Sequence, residues 1–207
     1  VPFKIKYFNF ECVKRYAFQQ FLNDKNSILQ NVTHILNSIP PNDYGDIPFH
    51  HIKKELINLN SLKWLGYLST TGVYGDHGGN WVDEKSELRT KNKRSLNRIT
   101  AEKQYLNLFS EHKLPIHIFR LPGIYGPKRS IFERINTDNL NLIKKKDQFF
   151  SRIHVEDIAT ALQFSIEKPT PGEIFNLTDD YPCPSDEVTS YSFELLKKKK
   201  PKYIELS

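Results

Sequence analysis

The residues of this chain that could do chemistry gather in a few short segments. In Tyr67–Asp76 (YLSTTGVYGD) an apolar run ends on three successive hydroxyl residues, Ser69, Thr70 and Thr71, before a glycine-bearing turn. Hydroxyls at the end of a strand can hydrogen-bond a substrate carbonyl or alcohol, and can equally do no more than cap the strand. Arg94 and Arg98 stand one helical turn apart in a basic stretch with Lys91 and Lys93. Arg152 carries a planar guanidinium, a shape that suits phosphate or carboxylate groups. Gly72, Gly75 and Gly78 satisfy a literal G-x-x-G-x-x-G. A phosphate-binding fingerprint, however, needs a helix to start directly behind the glycines so that its amides meet the ligand. Gly79–Asp83 (GNWVD) does not read as a helix start, so the glycines read as a loop. The first glycine of the chain is Gly45, which leaves no place for such a fingerprint in the first strand–helix unit.

Other chemistries find little support. His50, His51, His77, His112, His117 and His154 lack the i, i+4 spacing or cysteine partners of a zinc site, and no metal is expected. His34 and His117 fall inside strand-like runs and read as core or edge residues. A nucleophile elbow and a P-loop are both missing. The sequons at Asn31 and Asn176 carry no weight in a chain read as cytoplasmic.

The elements that must position these groups alternate in the manner of an α/β fold with a mostly parallel sheet. Strands are predicted at Val32–Ser38, Lys63–Ser69, Ile116–Leu121 and Glu173–Leu177. Helices are predicted around Val13–Leu22, Phe49–Leu59, Ser95–His112, Val155–Glu167 and Ser185–Lys197. In the third helix Leu96, Ile99, Leu106 and Phe109 would form the buried face. Ser185, followed by Asp186 and Glu187, reads as an N-cap. Pro40-Pro41 and Pro122-Gly123 close two strands at the edge where open α/β sheets bind ligands.

The chain has 207 residues, 38% of them hydrophobic and 13% aromatic, ample for a sizeable core. Cys12 and Cys183 are too far apart in sequence to suggest a disulfide framework or a metal site. No apolar run approaches the roughly 18 residues of a membrane span, and no signal-peptide pattern opens the chain. The net charge of +6 is too diffuse to imply nucleic acid. Lys197–Lys200 with Lys202 reads as the solvated end of the last helix. These features describe a soluble, reduced, cytoplasmic protein with a small-molecule substrate, and neither nucleic acid nor membrane as partner. Because the chain starts at Val1 and contains no methionine, it is read as processed, cropped or fragmentary.

Three segments in order, LSTTGVYGD (Leu68–Asp76), FRLPGIYGP (Phe119–Pro127) and FSRIHVEDIATAL (Phe150–Leu162), resemble the extended and atypical short-chain dehydrogenase/reductases. VTHILNSIPP (Val32–Pro41) is similar to that family's fourth strand and its cofactor-facing loop. The resemblance implies a Rossmann-like, doubly wound α/β fold lacking its first βαβ portion, on the order of 60 residues at roughly 30 per βα repeat. Residues 1–127 would form the incomplete nucleotide-binding domain. Residues 128–207 would form a small C-terminal substrate-binding part that also lends elements to the sheet. The implied activity is that of an NAD- or NADP-dependent oxidoreductase or epimerase/dehydratase acting on a small or nucleotide-linked substrate. The truncated chain itself would be inactive.

Carried over residue by residue, the resemblance gives Thr70 the hydrogen bond to the reacting oxygen, with Tyr74 as candidate proton relay. Ser38, Ile39, Pro40, Ser69, Arg98, Pro122, Gly123 and Ile124 would contact the cofactor, and Thr71, Tyr125 and Arg152 the substrate. The family's Tyr-x-x-x-Lys pair falls on Arg94-Ser-Leu-Asn-Arg98. An arginine does not release its proton near neutral pH, so Arg94 cannot be the acid/base. Arg98 could still hold ribose hydroxyls. That replacement supports an alternative, a catalytically inactive NAD(P)-binding sensor or scaffold.

Overall fold

Four runs dense in β-branched and aromatic residues pair side by side: β1 (His34–Asn37), β2 (Trp64–Thr70), β3 (Ile116–Leu121) and β7 (Ile174–Asn176). They form one sheet in the order β1-β2-β3-β7, parallel at every step. Parallel neighbours need crossovers, and helices supply them. α1 (Phe18–Leu29) precedes β1, α2 (Ile47–Ile57) joins β1 to β2, and α3 (Lys93–His112) joins β2 to β3. Between β3 and β7 the chain makes β4 (Gly123–Tyr125), α4 (Ile131–Ile135), β5 (Leu142–Lys144), β6 (Arg152–His154) and α5 (Val155–Glu167). α6 (Ser185–Leu195) and β8 (Tyr203–Glu205) follow β7. β4 pairs with β6, and β5 with β8, as two small parallel ribbons. This computed structural model describes residues 13–135, 142–144, 148–200 and 203–205. Val1, Cys12 and Lys202, singled out in the sequence, lie outside the described residues.

Strand alternation assigns the two faces of the sheet. Leu65, Tyr67, Ile116 and Ile118 meet Phe49, Ile52 and Leu56 of α2 and Ala101, Tyr105 and Leu108 of α3 on one side. Trp64, Phe119 and Leu121 meet Ile153 and Ile158 on the other. Full burial of such side chains stabilises by about 1.5–3 kcal/mol each. Gly66 is fixed by this packing: a Cβ there would lie 2.2 Å from the Trp64 ring. Trp64 cannot yield, because it stacks on His117 at 5.7 Å and its indole N–H donates to Ser165 at 2.9 Å.

Most expected elements are present, with informative shifts. β3 and α5 have the predicted bounds, while β1 is a shorter strand than Val32–Ser38. The first helix runs Phe18–Leu29 instead of Val13–Leu22 and buries Leu29 at its far end. The buried face of α3 is Ala101, Glu102, Tyr105 and Leu108, whereas Leu96 is 45% exposed. Pro184, not Ser185, occupies the N-cap of α6, and no side chain caps that end. The Gly72–Gly78 segment is a loop, and no helix begins until Lys93. None of the described helices is long and apolar enough to cross a membrane.

His117 lies wholly inside this packing, and its Nε2 accepts from the Thr170 N–H at 3.1 Å, so it is held as a neutral imidazole. Burial pushes its pKa below the ordinary 6.5. The unfolded chain takes up this proton as pH falls through 6.5, while the folded chain resists it. The contribution to stability is therefore complete above pH 6.5 and declines below it. Urea midpoints measured from pH 7 down to pH 5 should fall more steeply for the parent than for His117→Gln. Parallel curves would mean that His117 is as free to protonate in the folded state as in the unfolded one.

Candidate functional site

The carboxyl ends of β1, β2 and β3 lie side by side, Thr70 pairing in register with Leu121. Their loops carry nearly all the residues singled out above. Thr70, the last residue of β2, is half-buried, and its Oγ1 accepts the Gly72 N–H at 3.1 Å. As that bond uses an oxygen lone pair, the hydroxyl proton remains to be donated. Thr71 opens the 3-10 turn Thr71–Val73 that follows. Across the edge, Ser38, Ile39 and Pro40 are exposed on the β1 side, and Pro122, Gly123 and Ile124 follow β3, with Gly123 exposed.

Beneath this edge lies a buried ion pair. Arg120 of β3 and Glu102 of α3, each 2% exposed, meet with the Arg120 Nη2 2.7 Å from Glu102 Oε2 and Nε 3.1 Å from Oε1. Ser69 donates its hydroxyl to the same Glu102 Oε1. The other arm of the fork, Nη1, donates to the Tyr74 hydroxyl at 2.9 Å and to the Glu84 carbonyl at 3.3 Å. Tyr74 donates in turn to Asn176 Oδ1 at 2.7 Å, and the Asn176 N–H donates to Glu84 Oε1 at 2.7 Å. Burial opposes the Arg120 charge, but the Glu102 carboxylate outweighs it, and the Arg120 pKa is raised. The network fastens the 74–92 loop to β3 and β7. The loop also closes on itself, with the Arg89 N–H donating to the Tyr74 carbonyl. Gly75 (φ +72°) sits where a Cβ would be 2.6 Å from the Thr90 nitrogen.

A second buried cluster supports β1. Asn37 donates to Asp46 Oδ2 (3.0 Å) and to the Tyr105 hydroxyl (2.9 Å), and Tyr105 donates to Asp46 Oδ1 (2.9 Å). Asp46 also caps α2 by accepting the Phe49 N–H at 2.8 Å. Burial and the Asp46 charge push the Tyr105 pKa up, so this phenol stays protonated. The Asn37 Oδ1 accepts the Ile39 N–H at 3.0 Å and so shapes the Ser38–Pro40 turn.

Several expectations about single residues change. Ser69 faces inward, 5% exposed, with its hydroxyl on Glu102. Tyr74 is 3% exposed, with its oxygen held between Arg120 and Asn176 beneath the edge. Arg94 is exposed, whereas Arg98 is half-buried. The Arg98 guanidinium donates to the Leu68 carbonyl and lies 5.7 Å from the Tyr67 ring. Lys93 is tied across to the loop after β1 through Asp43, 2.5 Å away, and this contact lowers the Asp43 pKa. Arg152 reaches the carbonyls of Phe150 (3.0 Å) and Cys183 (3.4 Å) with Nη1. Tyr125, 40% exposed, packs on His154 at 5.2 Å. Glu102, Arg120, Asn37, Asp46 and Tyr105 escaped the sequence reading. An arginine inside the otherwise apolar run IHIFRL was the available signal.

A parallel sheet crossed by helices, with hydroxyls and glycine-bearing turns at its carboxyl edge, is a Rossmann-like α/β arrangement. The family model described as "NAD dependent epimerase/dehydratase family" matches residues 54–178, and the chain belongs to that family. It is similar to dTDP-D-glucose 4,6-dehydratase of Dictyostelium discoideum, 28% identical over 152 residues that make up 64% of this chain and 35% of that protein. The corresponding human protein is 23% identical over 140 residues, 63% of this chain and 40% of that one. The chain thus spans well under half the length of these curated relatives. Among solved structures, a functionally unknown conserved protein from Silicibacter pomeroyi superposes with a TM-score of 0.81 at 41% identity, covering 86% of this chain and 62% of that one. The dTDP-glucose 4,6-dehydratase of Bacillus anthracis, solved with NAD, shares the fold with a TM-score of 0.73 at 20% identity, covering 92% and 65%.

The buried pair makes a measurable claim. Glu102→Gln keeps the shape but leaves the Arg120 charge without its counter-ion, a loss of about 3–5 kcal/mol. The double variant Glu102→Gln/Arg120→Met should cost less than the sum of its parts, because the orphaned charge is gone. Chemical denaturation reads both. A Glu102→Gln loss below about 1 kcal/mol would mean that water reaches the pair.

Proposed function

We propose that the protein is an NAD(P)-dependent oxidoreductase or epimerase/dehydratase acting on a small or nucleotide-linked substrate. The observation that carries this reading is the Thr70 hydroxyl. It stands at the middle of the sheet edge, half-exposed, with its acceptor side occupied by the Gly72 N–H and its proton available. Its donor chemistry fits a nicotinamide cofactor with a carbonyl or alcohol substrate alongside. Ser38, Ile39 and Pro40 would border the adenosine or ribose side of the cofactor, and Pro122, Gly123 and Ile124 would pass the nicotinamide. When bound, that cofactor supplies hydride transfer. Thr70 would donate its hydrogen bond to the reacting oxygen and so stabilise the charge that builds there. Thr71, Tyr125 and Arg152 would bound the substrate, Arg152 favouring anionic groups.

A second reading, a cofactor-binding sensor or scaffold without turnover, draws on the state of the other candidates. Arg94 and Arg98 replace the family's Tyr and Lys, and Tyr74 is held on both sides of its oxygen. The two readings part on one assay, oxidation of NADH and NADPH by the intact protein across a panel of carbonyl substrates. Turnover supports the enzyme; saturable binding without turnover supports the sensor.

Thr70→Val should lower kcat by about 10²–10³, the usual loss for a positioned donor of this kind. Thr70→Ser should stay close to the parent, because the hydroxyl survives. If Thr70→Val remained within a few-fold of the parent, the reacting oxygen would be bound elsewhere.

A further inference from the structure

In a strand, the N–H and C=O of one residue point to the same side, and successive residues alternate. The Trp64 N–H donates to the Thr33 carbonyl of the β1 side, while the Leu65 N–H donates to the Pro115 carbonyl of the β3 side. Even-numbered residues of β2 therefore face β1. The register pairs His34 with Trp64 and Leu36 with Gly66. One step further, the Leu68 carbonyl is the acceptor for the Ile39 N–H.

That bond is not made, and both halves of it are taken by side chains. The Ile39 N–H donates to Asn37 Oδ1 at 3.0 Å, two residues back. The Leu68 carbonyl accepts from Arg98 Nη1, which also reaches the Tyr67 hydroxyl at 3.3 Å. A ladder position left open frees a donor and an acceptor, which must then find other partners. Here neither is unmet, and β1 is released from β2 immediately after Asn37. The parting lies between Ser38–Pro40 and Thr70, where the sheet edge is to admit a ligand.

We propose that Arg98 is a positioning residue that holds β1 and β2 apart: by donating to the Leu68 carbonyl it competes with the Ile39 N–H for the acceptor that would extend the ladder over the cofactor-facing crevice. Asn37, anchored by Asp46 and Tyr105, is the matching half of the device. A guanidinium suits the task because it carries several donors in a rigid plane, one for the carbonyl and one for the phenol, while its face meets the Tyr67 ring. That the crevice serves a nicotinamide cofactor rests on the function proposed above; that it is propped open does not.

The test separates the two. In this chain, isotopically labelled, scalar coupling across the hydrogen bond between the Ile39 nitrogen and the Leu68 carbonyl carbon reports the ladder. Nicotinamide mononucleotide, followed by amide shifts at Leu68 and Thr70, reports the crevice. The parent should show no Ile39–Leu68 coupling and should bind the mononucleotide. Arg98→Met, which keeps the stem and removes the donors, should gain the coupling and lose affinity at least several-fold. Arg98→Lys retains a donor and should recover both parent behaviours. If Arg98→Met does not fold, the parent decides: scalar coupling between an Arg98 guanidinium nitrogen and the Leu68 carbonyl carbon supports the prop, and its absence overturns it. A ladder that stays open in Arg98→Met overturns the proposal, whatever happens to binding. A ladder that closes with affinity unchanged overturns the positioning role. Failure of the parent to bind the mononucleotide counts against the cofactor reading and leaves the ladder result standing.

Discussion

Everything at the candidate site is referred to the ion pair between Arg120 and Glu102. A guanidinium and a carboxylate placed singly between sheet and helix would each cost several kcal/mol of lost hydration. Together they are tolerated because the fork is met by Glu102 on one side and by Tyr74 and Glu84 on the other. Such an arrangement has little slack. Moving α3 along the sheet withdraws the carboxylate from a buried cation, and moving the 74–92 loop withdraws the tyrosine and the carbonyl. One pair thus sets the relative positions of β2, β3, β7, α3 and the loop that follows the hydroxyl cluster. Directional groups in a low-dielectric layer fix position more tightly than apolar packing, which tolerates volume-conserving exchange.

The Asn37–Asp46–Tyr105 cluster does the corresponding work on the other side of β2. Tyr105 stacks on Tyr67 at 5.0 Å, and Tyr67 receives Arg98, so the cluster touches the residues that part β1 from β2. Both clusters are seated on α3, through Glu102 and through Tyr105 three residues further on. That helix is therefore the reference element for both walls of the crevice, and its amino end carries Arg98. Seated on one rigid helix, the two walls keep a fixed separation.

The fold was legible from the sequence where burial follows hydrophobicity. IHIFRL and VEDIATALQFSIE are apolar enough for their bounds to be read directly, and β3 and α5 match them. The reading failed where burial follows partnership. Leu96 reads as buried because it is apolar, yet it is exposed, and the charged Glu102 is buried in its ion pair, with α3 turned toward Ala101, Glu102 and Tyr105. No period of apolar residues reports a carboxylate whose counter-ion lies on another strand. The β4–β6 ribbon escaped for a different reason: with three residues in each strand, alternation has no room to register. At the site, Thr70 and the turns after β1 and β3 came from motif and order. The partners that decide which hydroxyl faces out did not, because Asn176 and Arg120 stand far along the chain from Tyr74.

Ser69 and Thr70 show how these constraints select a functional atom. Adjacent in sequence and alike in chemistry, they are placed by the strand on opposite faces. Ser69 turns toward α3, where the Glu102 carboxylate takes its proton donor, so its hydroxyl is structural. Thr70 turns the other way at the last pairing of β2 with β3, and its oxygen accepts the Gly72 N–H. An N–H can occupy a hydroxyl's lone pair but cannot accept its proton. The turn thereby fixes the Thr70 oxygen without using its donor, the donor that the proposed function assigns to the reacting oxygen. The same ion pair that immobilises one hydroxyl beneath the edge thus leaves its neighbour free to act upon it.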